Sequence, residues 1–385
     1  MKKSNHIVFT TINVPYVLRD LHLNLARHGW LDQVKVWVVG DRKTPPDTLK
    51  LCREVSASGM EVEYLDIPAQ DAWGLRCPTF YQRIPYNNET RRNIGYLRAL
   101  EEGCVRLISI DDDNFPTDLD FIGGHSVVGK VWDGSLLASD NGFHNLCSYL
   151  QLEPAREIYP RGYPFRLRGA AGAPKEVDGK SVTIGVNAGL WLKDPDVDAT
   201  TWLNGKITGM AYEGPDLAVL DEGTWTPVNT QNTAVLRELI PAYLCIPMGW
   251  PVPGGQIQRY GDIWGGYFLQ ALITGTRYRV AFGKPVVEHR RNPHDYVDDL
   301  RFEFWGMILT DWLVDVLKGR FRPRERHITD RLRELADFLL GDAMHTLPAW
   351  CPEEMREFLR WTAGNLSAWA EACEIVSESN SLRIA

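Results

Sequence analysis

Short runs of apolar, often β-branched residues alternate with amphipathic stretches in the first part of the chain. The runs at residues 7–12, 34–40 and 61–65 predict strands, because such runs are typical of buried or half-buried strands. Between the first two runs, leucines recur at helical spacing until Gly29 ends the stretch. The repeated strand–helix order predicts an α/β fold with a doubly wound, mostly parallel sheet.

A fourth apolar run, residues 105–110, ends at three consecutive carboxylates, Asp111, Asp112 and Asp113. Ligands of open α/β sheets bind outside the carboxyl ends of the strands. Adjacent acids repel one another there unless a cation lies among them, and Mg²⁺ and Mn²⁺ prefer such oxygen ligands and often hold substrate phosphates too. The triplet therefore predicts a metal–diphosphate site, although an acidic turn or a helix cap would also explain it.

The rest of the chain holds further predicted strands and one predicted helix before a helical end. The strands are expected at residues 136–139, 182–186, 189–192 and 279–282. The helix is expected at residues 233–239. Because the pattern becomes helical from about residue 300, we expect residues 1–305 to form the α/β domain and residues 306–385 a C-terminal helical region.

Composition and charge narrow the class of protein. Hydrophobic residues make up 44% and charged residues 24% of the 385 residues, which is typical of a soluble globular protein. The net charge of −8 argues against nucleic acid as the main partner. No apolar run reaches the roughly 20 residues that a membrane-spanning helix needs. Seven cysteines without metal-type spacing suggest reduced thiols, so we expect a cytoplasmic protein.

Two glycine-rich phosphate-binding motifs are absent from the sequence, G-x-G-x-x-G after the first strand and G-x-x-x-x-G-K-[ST]. Phosphate binding must therefore come from a metal and from basic side chains. Arg92, just ahead of a predicted helix, is a candidate for binding a diphosphate or a base. Asp41, at the end of the second strand, could accept a hydrogen bond from a base or ribose, or could equally cap the next helix.

Three later segments carry candidate residues. Arg161, Arg166 and Arg168 are interleaved with aromatic residues and prolines, which favours a structured loop near an anionic ligand, with a charged surface loop as the alternative. Asp262 starts a predicted helix whose dipole would keep its carboxylate charged, so it could bind an acceptor hydroxyl, act as a base or only cap the helix. His289 ends an apolar run and could be a metal ligand or a structural histidine.

Several blocks of the chain occur in the same order in one known family. They are residues 7–12, 92–96, 110–115, 161–168, 189–192 with 195–199, and 259–266. The Arg-Gly-Tyr-Pro-Phe and Gly-Leu-Trp-Leu blocks are specific, whereas the acidic triplet alone is not. On these blocks the chain resembles, as a divergent member, the reversibly glycosylated polypeptide family, whose plant members include UDP-arabinopyranose mutases.

The resemblance implies a GT-A type glycosyltransferase fold and a UDP-sugar bound through Mn²⁺ or Mg²⁺. It assigns Asp111, Asp113 and His289 to the metal, and it places Arg161 where the family becomes glycosylated. Because a guanidinium stays protonated and is a weak nucleophile, Arg161 could instead serve as a cation near the diphosphate. The residues expected to bind the nucleotide-sugar are Thr10, Asp41, Arg92, Asp111, Asp112, Arg166, Arg168, Trp191 and Asn232.

Departures from the family pattern lie where an acceptor would bind. Gly261 replaces an acid of the family's pattern, and Arg166 replaces a serine. These changes argue against a mutase activity more than against nucleotide-sugar binding.

The hypothesis from the sequence is a metal-dependent glycosyltransferase that moves a sugar from a UDP-sugar to an unknown acceptor. Asp262 and Arg161 are its predicted catalytic residues, and the metal and arginines would neutralise the leaving UDP. The first alternative is a mutase that interconverts pyranose and furanose UDP-sugars. The second is a nucleotide-sugar-binding protein without catalysis. The family's tendency to associate also leads us to expect a homo-oligomer.

Overall fold

The computed structural model describes residues 2–169 and 174–381, which form layered sheets and helices. In chain order the strands are β1 Asn5–Thr10, β2 Val34–Val39, β3 Glu61–Leu65, β4 Arg106–Ile110, β5 Asn114–Pro116, β6 Val131–Trp132, β7 Leu136–Ser139, β8 Leu150–Glu153, β9 Pro174–Val177, β10 Val182–Ala188, β11 Trp191–Lys193, β12 Thr208–Tyr212, β13 Leu217–Val219, β14 Asn232–Leu236, β15 Trp250–Val252, β16 Gly255–Ile257, β17 Tyr278–Gly283 and β18 Val287–His289. The α-helices are α1 Val17–Arg27, α2 Asp47–Ala57, α3 Ile67–Gly74, α4 Pro78–Tyr81, α5 Arg92–Glu102, α6 Phe121–His125, α7 Ala199–Leu203, α8 Gly261–Ile273, α9 Tyr296–Arg320, α10 Ile328–Phe338 and α11 Glu353–Ser381.

The main sheet has nine strands, of which eight follow the order β3–β2–β1–β4–β14–β10–β17–β13 and the ninth, β6, pairs with β10. Strands β3, β2, β1 and β4 run parallel, with Ile7 paired to Val36 on one side and to Ile108 on the other. Strands β1 and β2 are buried along nearly their whole length, as expected for parallel strands covered on both faces. This sheet confirms the predicted α/β fold, and its parallel half agrees with the expected GT-A type.

The strand order reverses between β1 and β4. The chain passes from β1 to β2 and β3, and then places β4 on the other side of β1. Right-handed crossovers in opposite directions put α1 and α2 on one face of the sheet and α5 on the other. Thr10 ends β1 and Asp111 directly follows β4. The reversal therefore creates a crevice at these carboxyl ends, where ligands of such sheets bind.

A smaller sheet, in the order β5–β18–β11–β12–β8, connects the acidic triplet to a distant part of the chain. Strand β5 begins at Asn114, the residue after Asp113, and pairs antiparallel with β18. His289, the last residue of β18, is the ladder partner of Asn114. This backbone pairing holds His289 beside the triplet.

The helix predicted at residues 233–239 is wrong. Residues 232–236 form β14, which runs antiparallel between β4 and β10 with Asn232 opposite Ile110. A short 3₁₀ turn, Arg237–Ala242, follows it. The central position in the sheet gives this segment hydrogen-bonded neighbours on both sides, and that outweighs the helical spacing of its apolar residues.

The expected C-terminal helices are present and pack directly on the α/β core. Helix α9 is continuous from Tyr296 to Arg320, so the expected boundary between residues 305 and 306 lies inside one helix. Helix α11 contacts α4, α5 and α10. Its Trp369 lies against Phe80, with ring centroids 5.0 Å apart, and donates its Nε1–H to the Pro241 carbonyl oxygen over 2.7 Å. Among residues 2–169 and 174–381, no helix has the length and apolar character needed to cross a membrane.

Helix α8, which carries Asp262, is buried along its whole length and approaches neighbouring backbone through its glycines. A Cβ at Gly266 would collide with the carbonyl oxygen of Val228, which cannot swing away as a side chain can. We expect Gly266→Ala to lower the free energy of unfolding by about 1–3 kcal/mol, as overpacking does, in urea denaturation.

Gly319→Ala is the matched control, because Gly319 lies in α9 with open space around its Cβ position. There the same substitution should be neutral or stabilising by up to about 1 kcal/mol, since alanine favours the helix and restricts the unfolded chain. Equal losses in the two variants would contradict the close approach of α8 to the Val228 backbone.

Candidate active site

A cleft opens at the carboxyl ends of β1, β2 and β4. It has an outer part of about 1160 Å³, some of it open to solvent, and an inner part of about 670 Å³. Thr10 and Asp41 border the outer part, whereas Arg161 and Asp262 border the inner part. The predicted site residues that line the cleft are Thr10, Asp41, Arg92, Asp111, Asp112, Asp113, Arg161, Asp262 and His289.

Arg92, the first residue of α5, is buried and fixed against the end of β4. Its Nη2 donates to Asp111 Oδ1 over 2.6 Å, and its Nη1 donates to the Thr230 carbonyl oxygen over 3.1 Å. Its Nε donates to the Glu89 carbonyl oxygen over 3.1 Å. Burial raises the pKa of Asp111, a shift that the charge of Arg92 opposes and that of Asp113 reinforces. The pair places a rigid positive charge beside the acidic triplet.

Asp112 ties the end of β4 to the segment that follows β1. Its Oδ2 accepts from Thr11 Oγ1 over 2.6 Å and from Asn13 Nδ2 over 3.4 Å. Burial raises the pKa of Asp112 to about 6. Asp112 therefore holds the two edges of the crevice together.

Asp113 faces His289 across the cleft wall. His289 Nε2 lies 3.4 Å from Asp113 Oδ2, which also accepts from Asn292 Nδ2 over 3.2 Å. Burial alone would raise the pKa of Asp113, but the hydrogen bond and charge of His289 lower it overall. Burial would likewise lower the pKa of His289, and Asp113 raises it instead. In the described parts of the chain, no group of three or more His, Cys, Asp or Glu side chains forms a ready metal site.

Arg161 is buried in the inner part of the cleft with all five of its N–H donors engaged. Its Nε and Nη2 donate to the Asp196 carboxylate over 2.9 and 3.2 Å. Its Nη1 and Nη2 donate to the Asp262 carboxylate over 3.3 and 3.1 Å, and Nη1 also donates to the Arg259 carbonyl oxygen. Burial opposes protonation, but the charges of Asp196 and Asp262 raise the pKa of Arg161 above its ordinary value.

Asp196 is the strongest partner of Arg161. Burial alone would raise its pKa, but the charge and hydrogen bonds of Arg161 lower the pKa of Asp196 from 3.8 to about 2. Asn229 Nδ2 donates to the same carboxylate over 2.9 Å. Asp196 and Arg161 therefore stay ionised together over the whole neutral range.

Asp299 of helix α9 is surrounded by basic side chains that lie along the cleft. This carboxylate lies 3.4 Å from Arg259 Nη1, 3.2 Å from Arg291 Nη2 and 3.0 Å from His294 Nδ1. Glu303, one turn further along α9, accepts from Arg259 Nε over 2.8 Å. These pairs fix the basic side chains that line the inner part of the cleft.

Asp41, at the outer end of the cleft, does not cap α2, because the residue at the start of that helix is Pro46 and no side chain caps it. Its Oδ2 accepts from the backbone N–H of Asn88 over 3.2 Å, and its Oδ1 accepts from the N–H of Arg42 over 2.7 Å. It therefore holds the loop before α5 in place while it also borders the space available to a ligand.

Two of the three predicted loop arginines do not line the cleft. The side chain of Arg166 is exposed and pairs with Asp315 on the outer face of α9. Arg168 pairs with Asp198 over 2.6 Å, and its guanidinium lies over the Phe165 ring at 3.6 Å. Of the three arginines, only Arg161 reaches the cleft, so the predicted contacts of the other two with a nucleotide-sugar do not follow from their positions.

Two further predicted binding residues, Trp191 and Asn232, are buried in the sheets instead of lining the cleft. Asn232 Oδ1 lies 2.8 Å from His125 Nε2, and its Nδ2 donates to the Leu190 carbonyl oxygen over 2.8 Å. These contacts join β14 to the loop before β11 and to α6. Asn232 therefore has a structural position, and Trp191 packs in the core.

Sequence reasoning missed several residues that line the cleft. They include Glu89, Asp196, Arg259, Arg291 and His294. Asp196 could have been found, because it stands in the 195–199 block that carries the family resemblance. Glu89 stands in a polar segment with no motif, so nothing in the sequence marks it.

Comparisons with known proteins identify relatives of this chain. A probable UDP-arabinopyranose mutase 1 from Pisum sativum is 30% identical over 239 residues, which cover 60% of this chain and 58% of the pea protein. UDP-arabinopyranose mutase 2 from Arabidopsis thaliana is 28% identical over 286 residues, which cover 69% of this chain and 73% of that protein. This chain thus spans less than two thirds of the pea relative's length.

Among solved structures, glucosyl-3-phosphoglycerate synthase from Mycobacterium tuberculosis in complex with Mn²⁺ and UDP-glucose aligns over 80% of this chain and 79% of that chain. The identity is 14% and the TM-score 0.35. The family model for reversibly glycosylated polypeptides matches residues 78–338, a span that contains the acidic triplet, Arg161, Asp262 and His289. The chain belongs to the reversibly glycosylated polypeptide family.

Proposed function

We propose that this protein is an enzyme that binds a UDP-sugar with Mg²⁺ or Mn²⁺ in the cleft and breaks the bond between the sugar and the diphosphate. The observation that carries the proposal is the Asp113–His289 pair at the carboxyl end of β4, beside the fixed charge of Arg92. Family membership supports a UDP-sugar as the ligand, because relatives of this chain are UDP-arabinopyranose mutases by name.

Asp113 and His289 have the properties of ligands to a divalent cation. His289 Nδ1 lies 2.7 Å from the Asp194 carbonyl oxygen, which can only accept, so Nδ1 carries a proton and Nε2 faces Asp113. Asp113 Oδ1 is buried and has no hydrogen-bond partner among the residues that the structure describes. Mg²⁺ typically takes one or two carboxylates and completes its shell with phosphate oxygens and water, so a site without three protein ligands is adequate.

Asp111, the third predicted ligand, is committed to Arg92 through Oδ1. A bound cation would offset the negative charge that develops on the diphosphate as its bond to the sugar breaks. The chain itself contributes the fixed charge of Arg92 on the diphosphate side. Thr10 and Asp41 border the outer part of the cleft, where a base and ribose have room.

The first candidate reaction is the interconversion of pyranose and furanose UDP-sugars. The relatives' names favour this reaction, and it requires no acceptor other than the sugar itself. The inner part of the cleft, with carboxylates that can accept hydrogen bonds from sugar hydroxyls, suits a sugar that rearranges in place.

The second candidate is transfer to a separate acceptor, and one feature of the cleft favours it. A recess of about 910 Å³ lies on the far side of Asp112 and Asp113 and is bordered by Tyr16, Phe115 and Arg290. Aromatic rings suit the faces of sugar rings, and this recess gives a separate acceptor a route to the sugar. The same protein could therefore release UDP when an acceptor is present.

We further propose that Arg161 positions Asp262 and does not carry the sugar. Each N–H of its guanidinium already donates to Asp196, Asp262 or Arg259, and its raised pKa keeps it protonated. A protonated guanidinium has no free electron pair for attack on an anomeric carbon. Self-glycosylation at Arg161 would require the dismantling of this buried network.

Incubation of the full chain with Mn²⁺ and UDP-arabinopyranose, UDP-glucose or UDP-galactose tests the function. We expect at least one UDP-sugar to be consumed, either as a new ring form seen by NMR or as UDP released when a cell extract supplies an acceptor. The intact mass of the protein should stay unchanged.

Different results of this experiment would contradict different parts of the proposal. Binding of every UDP-sugar without ring-form change or UDP release, even with extract, would leave a nucleotide-sugar-binding protein. A mass gain of one sugar that disappears in Arg161→Lys would contradict the positioning role of Arg161. Cytoplasmic location and self-association, both expected from the sequence, stay predictions.

A further inference from the structure

Glu89 is presented to the cleft by a rigid piece of backbone. It begins the 3₁₀ turn Glu89–Arg91 that leads into α5, and Asn88 caps this turn by accepting from the Thr90 N–H over 3.0 Å. Asp41 holds the Asn88 N–H from one side, and Arg92 Nε holds the Glu89 carbonyl oxygen from the other. Glu89 therefore has a fixed place, at the border shared by the outer and inner parts of the cleft.

The carboxylate of Glu89 is partly buried and, within residues 2–169 and 174–381, has no hydrogen-bond or ion-pair partner in any other residue; its one hydrogen bond comes from its own backbone N–H. The other acids of the cleft are engaged: Asp111 by Arg92, Asp112 by Thr11, Asp113 by His289, and Asp196 and Asp262 by Arg161. A carboxylate that is bonded to no other residue keeps most of its lone pairs available to a ligand.

Burial makes Glu89 a better proton acceptor than an ordinary glutamate. Burial raises the pKa of Glu89 and the charge of Asp262 adds to this, while the charges of Arg92 and Arg259 oppose it. His294 also borders both parts of the cleft. A general base works best when its pKa is closer to the working pH than that of a free carboxylate.

We propose that Glu89 is a catalytic residue that binds and deprotonates the hydroxyl attacking the anomeric carbon of the bound sugar. This inference rests on the proposed function. In the step, the hydroxyl oxygen forms a bond to the anomeric carbon as its proton passes to Glu89. The bond from the anomeric carbon to the diphosphate oxygen breaks, and its electron pair stays on the departing UDP.

Of the roles that the sequence left open for Asp262, this proposal keeps the binding of a hydroxyl and gives the role of base to Glu89. Both carboxylate oxygens of Asp262 accept hydrogen bonds from Arg161, so it is held in one orientation. Its remaining lone pairs can still accept from sugar hydroxyls and orient the ring. The division is between an anchored acid, Asp262, that positions the sugar and an unpaired acid, Glu89, that takes the proton.

Glu89→Gln and Glu89→Asp test the proposal in the full chain with Mn²⁺. We expect Glu89→Gln to lower kcat roughly 100-fold, as loss of a general base does, while the Kd for UDP alone stays within about 2-fold. In the wild-type protein kcat/KM should fall at acid pH with an apparent pKa above that of a free glutamate, and this fall should vanish in Glu89→Gln. Glu89→Asp should still show the fall of kcat/KM at acid pH, but with a lower kcat than the wild-type protein.

Glu238→Gln is the matched control, because Glu238 also lies in a 3₁₀ turn but is exposed at the surface. Its kinetics should equal those of the wild-type protein. Two results would overturn the role of Glu89 and leave the proposed function intact. One is a kcat of Glu89→Gln within about 3-fold of the wild-type value, and the other is a loss of UDP binding as large as the loss of kcat. A wild-type protein that turns over no UDP-sugar would overturn the proposed function and this inference together.

Discussion

Asp113→Asn is expected to lower UDP-sugar turnover by roughly 1000-fold, the equivalent of about 4 kcal/mol of lost transition-state stabilisation. The variant keeps the size of the side chain and removes the charge that would hold a divalent cation with His289. Oδ1 of Asp113 has no partner in the described part of the chain, so its replacement breaks no hydrogen bond of the fold. The loss should therefore come from the cation and not from unfolding.

Calorimetric titration of UDP at a series of Mn²⁺ concentrations separates these explanations. The wild-type protein should bind UDP more tightly as Mn²⁺ rises, EDTA should abolish that gain, and Asp113→Asn should show little of it. Asp118→Asn serves as the control, because its side chain is 94% exposed and lies outside the cleft. Full metal-dependent turnover in Asp113→Asn would contradict the assignment of Asp113 to the cation.

Arg161→Met is expected to cost about 3–5 kcal/mol of stability, the usual penalty for leaving buried charges without their partner. Methionine fills much of the space but cannot donate to Asp196 and Asp262, which are 2% and 7% exposed. Arg166→Met is the matched control from the same loop, because its pair with Asp315 is exposed and should be worth no more than about 1 kcal/mol. Urea denaturation of the two variants measures the difference.

The pH dependence of that difference identifies its cause. Because Arg161 lowers the pKa of Asp196 from 3.8 to about 2, its stabilising effect is present above pH 3.8 and is lost as pH falls towards 2. The gap between the wild-type protein and Arg161→Met should therefore narrow in acid. Adding Asp196→Asn to Arg161→Met should recover part of the stability at neutral pH. Equal, small losses in Arg161→Met and Arg166→Met would contradict the buried network.

The sequence was sufficient for those parts of the site that depend on local pattern. The strands that end at Thr10 and Ile110 follow from short β-branched runs, and the general rule for α/β sheets places their ends together. His289 was a candidate because it ends an apolar run, and the family resemblance strengthened it. The pairing of β5 with β18 explains why so distant a residue lies beside the triplet.

Features that depend on contacts between distant segments could not be predicted in this way. The three loop arginines have similar neighbours in sequence, but Gly162, at φ +83°, turns the chain so that only Arg161 faces the acids of the cleft. Arg166 instead meets α9. Glu89 is distinguished because, within residues 2–169 and 174–381, its carboxylate bonds to no other residue, and that property is visible only in the folded structure.

The packing of α11 against α5 has a consequence for the order in which the protein can fold during synthesis. Helix α5 leaves the ribosome early, yet the surface that covers it, including Trp369 and the rest of α11, is translated more than two hundred and fifty residues later. Contacts between such distant segments form slowly and leave apolar surface exposed in the meantime. Helix α5, which begins with Arg92, can therefore complete its packing only after α11 has been translated.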